Sequence, residues 1–216
     1  KEINELQSLL ESPNQPYTVI MGGAKISDKL NLIKNLLPKV DNLILGGGMC
    51  FTFLKSQGYE IGASLCEDDF LNTAGELLNS RDGKKIILPI DFGVTDDLFS
   101  SYRNDKPLKE LKVSDIGVDI GPKTVELFSD IIHSSKTIFW NGPMGVFENE
   151  SFEYGTKEIT KSVSESKAYT VVGGGDSVSA INKYSTIQNF NHISTGGGAS
   201  MELMAVSYTH LRAHET

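Results

Sequence analysis

Six short runs of mostly apolar residues recur along this 216-residue chain and most constrain its fold. The runs are Tyr17–Met21, Asn42–Leu45, Lys85–Pro89, Thr137–Trp140, Tyr169–Val172 and His192–Thr195. Continuous apolar runs of this length are typical of strands that are covered on both faces. Four of them lead directly into paired or triple glycines, at Gly22–Gly23, Gly46–Gly48, Gly173–Gly175 and Gly196–Gly198.

Helical patterns separate most of these runs, and the alternation predicts the fold class. The predicted helices are Ser27–Leu37, Met49–Gln57, Glu67–Asn79, Lys123–Ser134, Ser151–Ser166 and Ser177–Tyr184. Repeated strand and helix predict an α/β fold, an open, doubly wound, Rossmann-like parallel sheet of about six strands with helices on both faces. Asp91–Pro122 interrupts this rhythm, and we expect there an excursion with a short helix and a small hairpin rather than a second domain.

Composition excludes several classes of protein. The net charge of −8, without a basic tract, argues against a nucleic-acid partner. No apolar run approaches the roughly 20 residues that cross a bilayer, so we expect no membrane partner. Glu2–Leu10 has the pattern of a charged amphipathic helix rather than a signal peptide. The two cysteines, Cys50 and Cys66, cannot form a disulfide framework, and a reducing cytoplasm is the expected compartment.

The glycines indicate a ligand at one edge of the sheet. Ligands of open α/β sheets bind at the carboxyl ends of the strands, where glycine lets backbone N–H groups approach an anion. Each glycine could instead serve only a tight turn, but four such sites at one edge favour a phosphate-rich ligand. Neither the dinucleotide fingerprint with its ribose-binding acid nor the Walker sequence occurs in the chain.

Three charged residues fit such a ligand. Lys25 and Lys29 lie four apart where a helix is predicted to begin, so they should share one face and repel each other unless an anion lies between them. Two solvated lysines are an equally good interpretation. Asp176 precedes a predicted helix and suits an N-cap, but one carboxylate beside a phosphate cradle also suits Mg²⁺.

Five motifs in order and spacing resemble the carboxy-terminal domain of phosphoglycerate kinases. They are GGAKISDK (22–29), LGGGMCFTFLK (45–55), WNGPMGVFE (140–148), VVGGGDS (171–177) and STGGGASMELM (194–204). The family transfers a phosphoryl group reversibly between 1,3-bisphosphoglycerate with ADP and 3-phosphoglycerate with ATP, in glycolysis and with Mg²⁺. The resemblance implies a monomer whose domain spans residues 1–204, with 205–216 a foreign or disordered tail.

The resemblance also implies a role for individual residues. Lys29 would contact the nucleotide phosphates, Lys25 and Gly197 would stabilise the transferred phosphoryl group, and Asp176 would bind Mg²⁺. The phosphates would also meet Ser177 and the amides of Gly174 and Gly175. Adenosine would lie among Gly23, Ala24, Gly47, Gly48, Gly117, Val118, Asn141, Pro143 and Val146, with Glu148 on the ribose.

The family's amino-terminal domain, which binds the three-carbon acid, has no counterpart in this resemblance. We therefore expect the chain to bind ADP or ATP and to turn over little alone. Two other functions are open at this stage: a dinucleotide-dependent oxidoreductase domain, and a non-catalytic nucleotide-binding module. The absent ribose acid disfavours the first, and the presence of Lys25, Lys29 and Asp176 disfavours the second.

Overall fold

The computed structural model describes residues 12–194 of the chain, which form two sheets and six α-helices. The strands are β1 Tyr17–Met21, β2 Asn42–Leu45, β3 Ile86–Ile87, β4 Asp91–Thr95, β5 Asn104–Pro107, β6 Ile116–Ile120, β7 Thr137–Asn141, β8 Tyr169–Gly173 and β9 His192–Ser194. The helices are α1 Leu30–Leu36, α2 Cys50–Ser56, α3 Leu71–Asn79, α4 Pro122–Ser134, α5 Tyr154–Glu165 and α6 Gly175–Tyr184.

The main sheet has six parallel strands in the order β3-β2-β1-β7-β8-β9. From β1 the chain builds outwards through β2 to β3, and later returns to place β7 on the other side of β1. Val19 of β1 pairs with Leu43 of β2 and with Phe139 of β7. The direction of winding therefore changes between β1 and β7, which makes the carboxyl ends of these two strands the topological switch point.

A hydrophobic core lies on each face of the main sheet. Val19 and Met21 point to one side, where side chains of α1, α2 and α3 cover them. Ile20 and Trp140, which are fully buried, point to the other side, where α4, α5 and α6 pack. Successive strand residues face opposite sides, so one apolar run supplies both cores. The predicted doubly wound α/β sheet with helices on both faces is confirmed.

The interrupting segment forms more structure than its sequence predicts. β4, β5 and β6 make a three-stranded antiparallel sheet in the order β5-β4-β6, and the expected short helix is a single 3-10 turn at Leu108–Glu110. The hairpin prediction therefore missed a strand. A third core cluster joins this small sheet to α2, where the Phe51 and Phe92 rings lie 4.7 Å apart between centroids.

Several predicted boundaries shift. α1 begins at Leu30 instead of Ser27, because the Ser27 N–H and hydroxyl both donate to the Glu67 carboxylate and form a separate turn. α6 begins two residues earlier than predicted, at Gly175. The helix predicted at Glu2–Leu10 and the tail 205–216 lie outside the described residues. Among the helices of the described part, none is both long and apolar enough to span a bilayer.

Candidate nucleotide site

A cavity of about 480 Å³ lies at the switch point, at the carboxyl ends of β1 and β7. It contains the following predicted residues: Gly23, Ala24, Gly47, Gly48, Gly117, Val118, Pro143, Val146, Glu148 and Asp176. Ten of the residues predicted to bind the nucleotide therefore line one cavity. The sequence did not identify the other lining residues, which are Phe51, Ala63, Leu65, Phe92, Leu98, Ile116, Asp119, Met144 and Gly145.

One wall of the cavity consists of strand-end loops that bond to each other. The Gly22 N–H donates to the Asn141 carbonyl at 2.9 Å, and the Gly23 N–H donates to the Pro143 carbonyl at 3.0 Å. The Gly47 N–H donates to the Met144 carbonyl, also at 3.0 Å. A Cβ on Gly22 would lie 1.9 Å from the Pro143 carbonyl oxygen, so only glycine permits this approach.

The opposite wall comes from the small sheet. Gly117 and Val118 of β6 line it, and the Val118 carbonyl accepts the Val146 N–H at 2.8 Å. The Phe51 ring fills the space beside Gly117, where a Cβ would lie 2.1 Å from the ring. The walls are mostly apolar side chains and glycine backbone, which form a slot suited to a flat aromatic group.

The two lysines occupy different surroundings. Lys29 is the N-cap residue of α1, and its ammonium donates to the Asn141 side-chain oxygen. Burial lowers the pKa of Lys29, although the negative charges of Asp28 and Asp176 oppose this effect. Such a half-buried cation at a helix amino terminus favours an anionic ligand.

Lys25 is exposed in the loop between β1 and α1. The expectation that Lys25 and Lys29 share a helix face is wrong, because α1 starts only after Lys29. The Glu67 carboxylate contacts this loop. Burial raises its pKa, but the hydrogen bonds from the Ser27 hydroxyl and N–H, assisted by the charge of Lys25, outweigh burial, so that the pKa of Glu67 is lowered. The charge of Lys25 thus acts on a carboxylate at the surface.

Asp176 lies at the rim of the cavity. It is the second residue of α6, and the N-cap position belongs to Gly174, so the expected N-cap role of Asp176 is not observed. Its carboxylate is exposed, and its charge acts on Lys29 across the loops. Because the Asp176 carboxylate is exposed and does not cap the helix, it is accessible to a ligand.

Asn141 and Ser177 do not line the cavity. The Asn141 amide donates to the Gly173 carbonyl at 2.9 Å, and its oxygen accepts from Lys29, so it connects β7, β8 and the lysine. Ser177 is fully buried, and its hydroxyl oxygen accepts the Gly142 N–H at 2.7 Å. Gly174 and Gly175 lie beside them at the amino end of α6, while Gly196–Gly198 fall outside the described residues.

Comparison with known proteins agrees with this geometry. The family model for phosphoglycerate kinase matches residues 1–206. A phosphoglycerate kinase of Deinococcus radiodurans is 51% identical over 207 residues, which cover 94% of this chain and 50% of that protein. One from Finegoldia magna is 49% identical over 211 residues, covering 94% of this chain and 52% of that protein.

Solved structures give the same result. The structure of phosphoglycerate kinase from Coxiella burnetii superposes with a TM-score of 0.91 at 39% identity, covering 94% of this chain and 54% of that one. The chain thus spans about half the length of the relatives that it matches. The family model covers nearly the whole chain and the relatives are about half identical to it, so the chain belongs to the phosphoglycerate kinase family.

Proposed function

We propose that this chain binds ADP or ATP with Mg²⁺ and supplies the nucleotide half of reversible phosphoryl transfer between 1,3-bisphosphoglycerate and ADP. The observation that carries the proposal is the apolar slot at the switch point, with Asp176 at its rim and Lys29 within the field of that acid. The slot suits the base of a nucleotide, the lysine beside it suits the phosphates, and the carboxylate suits the Mg²⁺ that the phosphates carry.

The nucleoside would occupy the apolar part of the cavity. Its base would lie between the Gly23 and Gly47 loops on one side and Gly117 and Val118 on the other. Glu148, which is exposed at the rim, would accept hydrogen bonds from the ribose hydroxyls. Asn141 would act through Lys29, whose ammonium it holds, rather than by touching adenosine.

The phosphates would extend towards α6. Helix amino termini present free N–H groups and positive partial charge, so the amides of Gly174 and Gly175 suit phosphate oxygens. Lys29 and the exposed Lys25 would neutralise charge on the phosphoryl group during transfer. The buried Ser177 hydroxyl would position the phosphate loops through Gly142. Gly197 keeps the role that the family resemblance implies.

The residues present fit a nucleotide-bound Mg²⁺. No group of three or more His, Cys, Asp or Glu side chains in residues 12–194 could enclose a metal by itself. Mg²⁺ usually takes one or two carboxylates and fills its other positions with water and phosphate oxygens. Asp176 supplies such a carboxylate next to the proposed phosphate site. When bound, the ion would neutralise phosphate charge.

The reaction needs no general base. In the direction that forms ATP, the acyl phosphate is already an activated donor. In the reverse direction, the carboxylate acceptor is ionised near neutral pH. Catalysis then consists of alignment and charge neutralisation, which the lysines and backbone amides of this site can provide. We propose that the three-carbon acid binds in the part of the relatives that this chain does not span, and that the protein acts as a monomer.

Calorimetric titration with ADP, with and without Mg²⁺, tests the nucleotide site. We expect the parent chain to bind. Lys29→Met should bind more weakly, on the order of tenfold or more, because a charge-assisted contact is lost. Asp176→Asn should lose the dependence on Mg²⁺. Lys34→Met removes an exposed lysine of the same helix and should bind like the parent.

Three outcomes of this titration would contradict the proposal. The parent chain could fail to bind MgADP, or Asp176→Asn could keep its full response to Mg²⁺. Tight binding of NADH with no competition from ADP would instead favour an oxidoreductase domain.

A further inference from the structure

A buried ion pair lies beneath the small sheet. The Arg103 guanidinium and the Asp119 carboxylate are 2.6 Å apart, and their side chains are 12% and 0% exposed. Arg103 also donates to the Ile120 carbonyl at 3.0 Å, and its guanidinium carbon lies 5.3 Å from the centre of the Tyr154 ring. These contacts fix the guanidinium across the face of β4, where Gly93 leaves room for it.

Asp119 connects three parts of the molecule. It belongs to β6, and its Oδ2 also accepts the Gly155 N–H at 2.6 Å, at the start of α5. Its Oδ1 lies against Gly145 in the loop after β7, where a Cβ would come within 2.5 Å of that oxygen. Neither glycine could be replaced without displacing the carboxylate.

Two of these parts, β6 and the loop after β7, form facing walls of the proposed nucleotide cavity. Val118, next to Asp119, lines the wall from the small sheet, while Gly145 and Val146 line the wall from the loop after β7. The hydrogen bond from the Val146 N–H to the Val118 carbonyl joins the walls beside the carboxylate. Asp119 therefore lies at the junction of the two walls.

We propose that Arg103 and Asp119 are positioning residues that hold the two walls at the spacing required by the nucleoside, and that this makes nucleoside affinity depend on pH. The proposal rests on the proposed function, since it concerns the same cavity. Neither residue is assigned to contact the phosphates. The pair should therefore act on the base end of the ligand and leave the phosphate end unchanged.

The carboxylate is placed to take up a proton. Its Oδ2 accepts from Arg103 and Gly155, but its Oδ1 has no hydrogen-bond partner among residues 12–194. Burial raises the pKa of Asp119 to about 7, although Arg103 and the Gly155 N–H oppose this. Among the described residues, the other titratable groups beside the pair are Asp105, which binds Arg103, and Tyr154 of α5, on which the charge of Glu158 also acts.

The direction of the pH effect follows from the charges. Above pH 7 the carboxylate is ionised and attracts Arg103, so the walls are held together. Below this value a neutral carboxyl attracts Arg103 less, and the walls loosen. The ionised fraction falls from about nine-tenths to about one-tenth between roughly pH 8 and pH 6, so nucleoside affinity should fall by up to about tenfold.

The test compares adenosine with pyrophosphate as calorimetric probes of the full 216-residue chain at these two pH values. Adenosine carries no phosphate, so ligand protonation does not confuse the profile. Asp119→Asn should bind adenosine equally at both pH values, and Arg103→Met should bind it on the order of tenfold more weakly than the parent at the higher pH. Both variants should bind pyrophosphate like the parent.

Asp105→Asn serves as the matched control. It removes the more exposed partner of Arg103, since the Asp105 side chain is 43% exposed. The substitution should change adenosine affinity less than about twofold. A pH dependence that survives in Asp119→Asn, or equal losses for adenosine and pyrophosphate, would overturn the proposal. If the parent bound neither probe nor MgADP, the proposed nucleotide site would itself be wrong.

Discussion

The backbone at Gly175 does not itself require glycine, in contrast to other glycines of the site. Gly175 is the first residue of α6, its φ is not positive, and a Cβ there would meet no described atom within 4 Å. Other glycines of the site, such as Gly22, are required by neighbouring backbone. Because residues 12–194 leave room for a side chain at Gly175, we propose that an approaching phosphate requires glycine there.

Gly175→Ala should therefore stabilise the fold and weaken nucleotide binding. Alanine in place of a helical glycine raises the free energy of unfolding by about 0.5–1 kcal/mol, here measured by urea denaturation. The added methyl group should weaken MgADP binding on the order of tenfold, because the amide can no longer approach a phosphate oxygen closely.

Gly75→Ala is the control for this substitution. Gly75 lies within α3, away from the cavity, where a Cβ would have only Ser56 nearby at 3.9 Å. It should give a similar gain in stability with unchanged MgADP affinity. Unchanged affinity in Gly175→Ala as well would remove the phosphate explanation for Gly175.

The sequence predicts where individual site residues lie along the sheet, but it does not predict which residues they contact. Glycines and charged residues after apolar runs predicted Asp176 and Lys29 at the carboxyl edge, where Asp176 lines the cavity and Lys29 precedes α1. The partners of Asn141 and Ser177 depend on loops that are more than 30 residues away in sequence, as with Gly142 and Ser177. Such pairings arise only when the parallel strands align, so no local pattern reveals them.

Elements with apolar runs were predictable, and polar elements were not. The buried strands β1, β2, β7 and β8 follow their sequence patterns within a residue. β5 reads Asn-Asp-Lys-Pro, which lacks the composition of a strand, and it exists because β4 supplies its hydrogen bonds. An edge strand of this kind is defined by its neighbour rather than by its own residues.

The link between the small sheet and the main sheet depends on a helix cap from outside the helix. Asp91 of β4 is buried, and its carboxylate accepts the Lys123 N–H at 2.9 Å and the Thr124 N–H at 2.7 Å. The Thr124 hydroxyl donates to the same carboxylate. The first turn of α4 thus obtains from β4 the acceptors that an N-cap side chain would normally provide.

Asp91→Ala should lower the free energy of unfolding by about 2 kcal/mol, because buried N–H groups lose their acceptor. Urea denaturation monitored by circular dichroism measures this. Asp97→Ala removes a comparable acceptor for the Phe99 N–H in the exposed loop after β4, and should cost less than about 0.5 kcal/mol. Equal costs for the two variants would show that the cap does not stabilise the junction.

The nucleotide cavity is a property of the whole described molecule. One wall comes from loops of the parallel sheet, and the other comes from the antiparallel sheet that interrupts the chain between β3 and β7. Neither sheet could form the slot alone. The segment predicted to be an excursion therefore supplies one wall of the cavity, and its apolar residues Phe92, Leu98 and Ile116 lie outside every sequence motif.

We expect the chain to bind nucleotide without efficient turnover. The proposed site would provide alignment and charge for one substrate, but an efficient transfer also requires the acid substrate to be held in line and water to be excluded. In enzymes that close over two substrates, both requirements are met only after closure. The relatives are about twice as long as this chain, which leaves about half of each relative unmatched.

We therefore expect the 216-residue chain to bind MgADP yet to form ATP from 1,3-bisphosphoglycerate at less than about 1% of the rate of the full-length relative from Deinococcus radiodurans, since correct placement of both reactants accounts for several orders of magnitude in rate. A coupled spectrophotometric assay with both proteins at equal concentration measures this. Comparable rates would show that the acid substrate binds on the chain described here, and would locate both halves of the reaction in one domain.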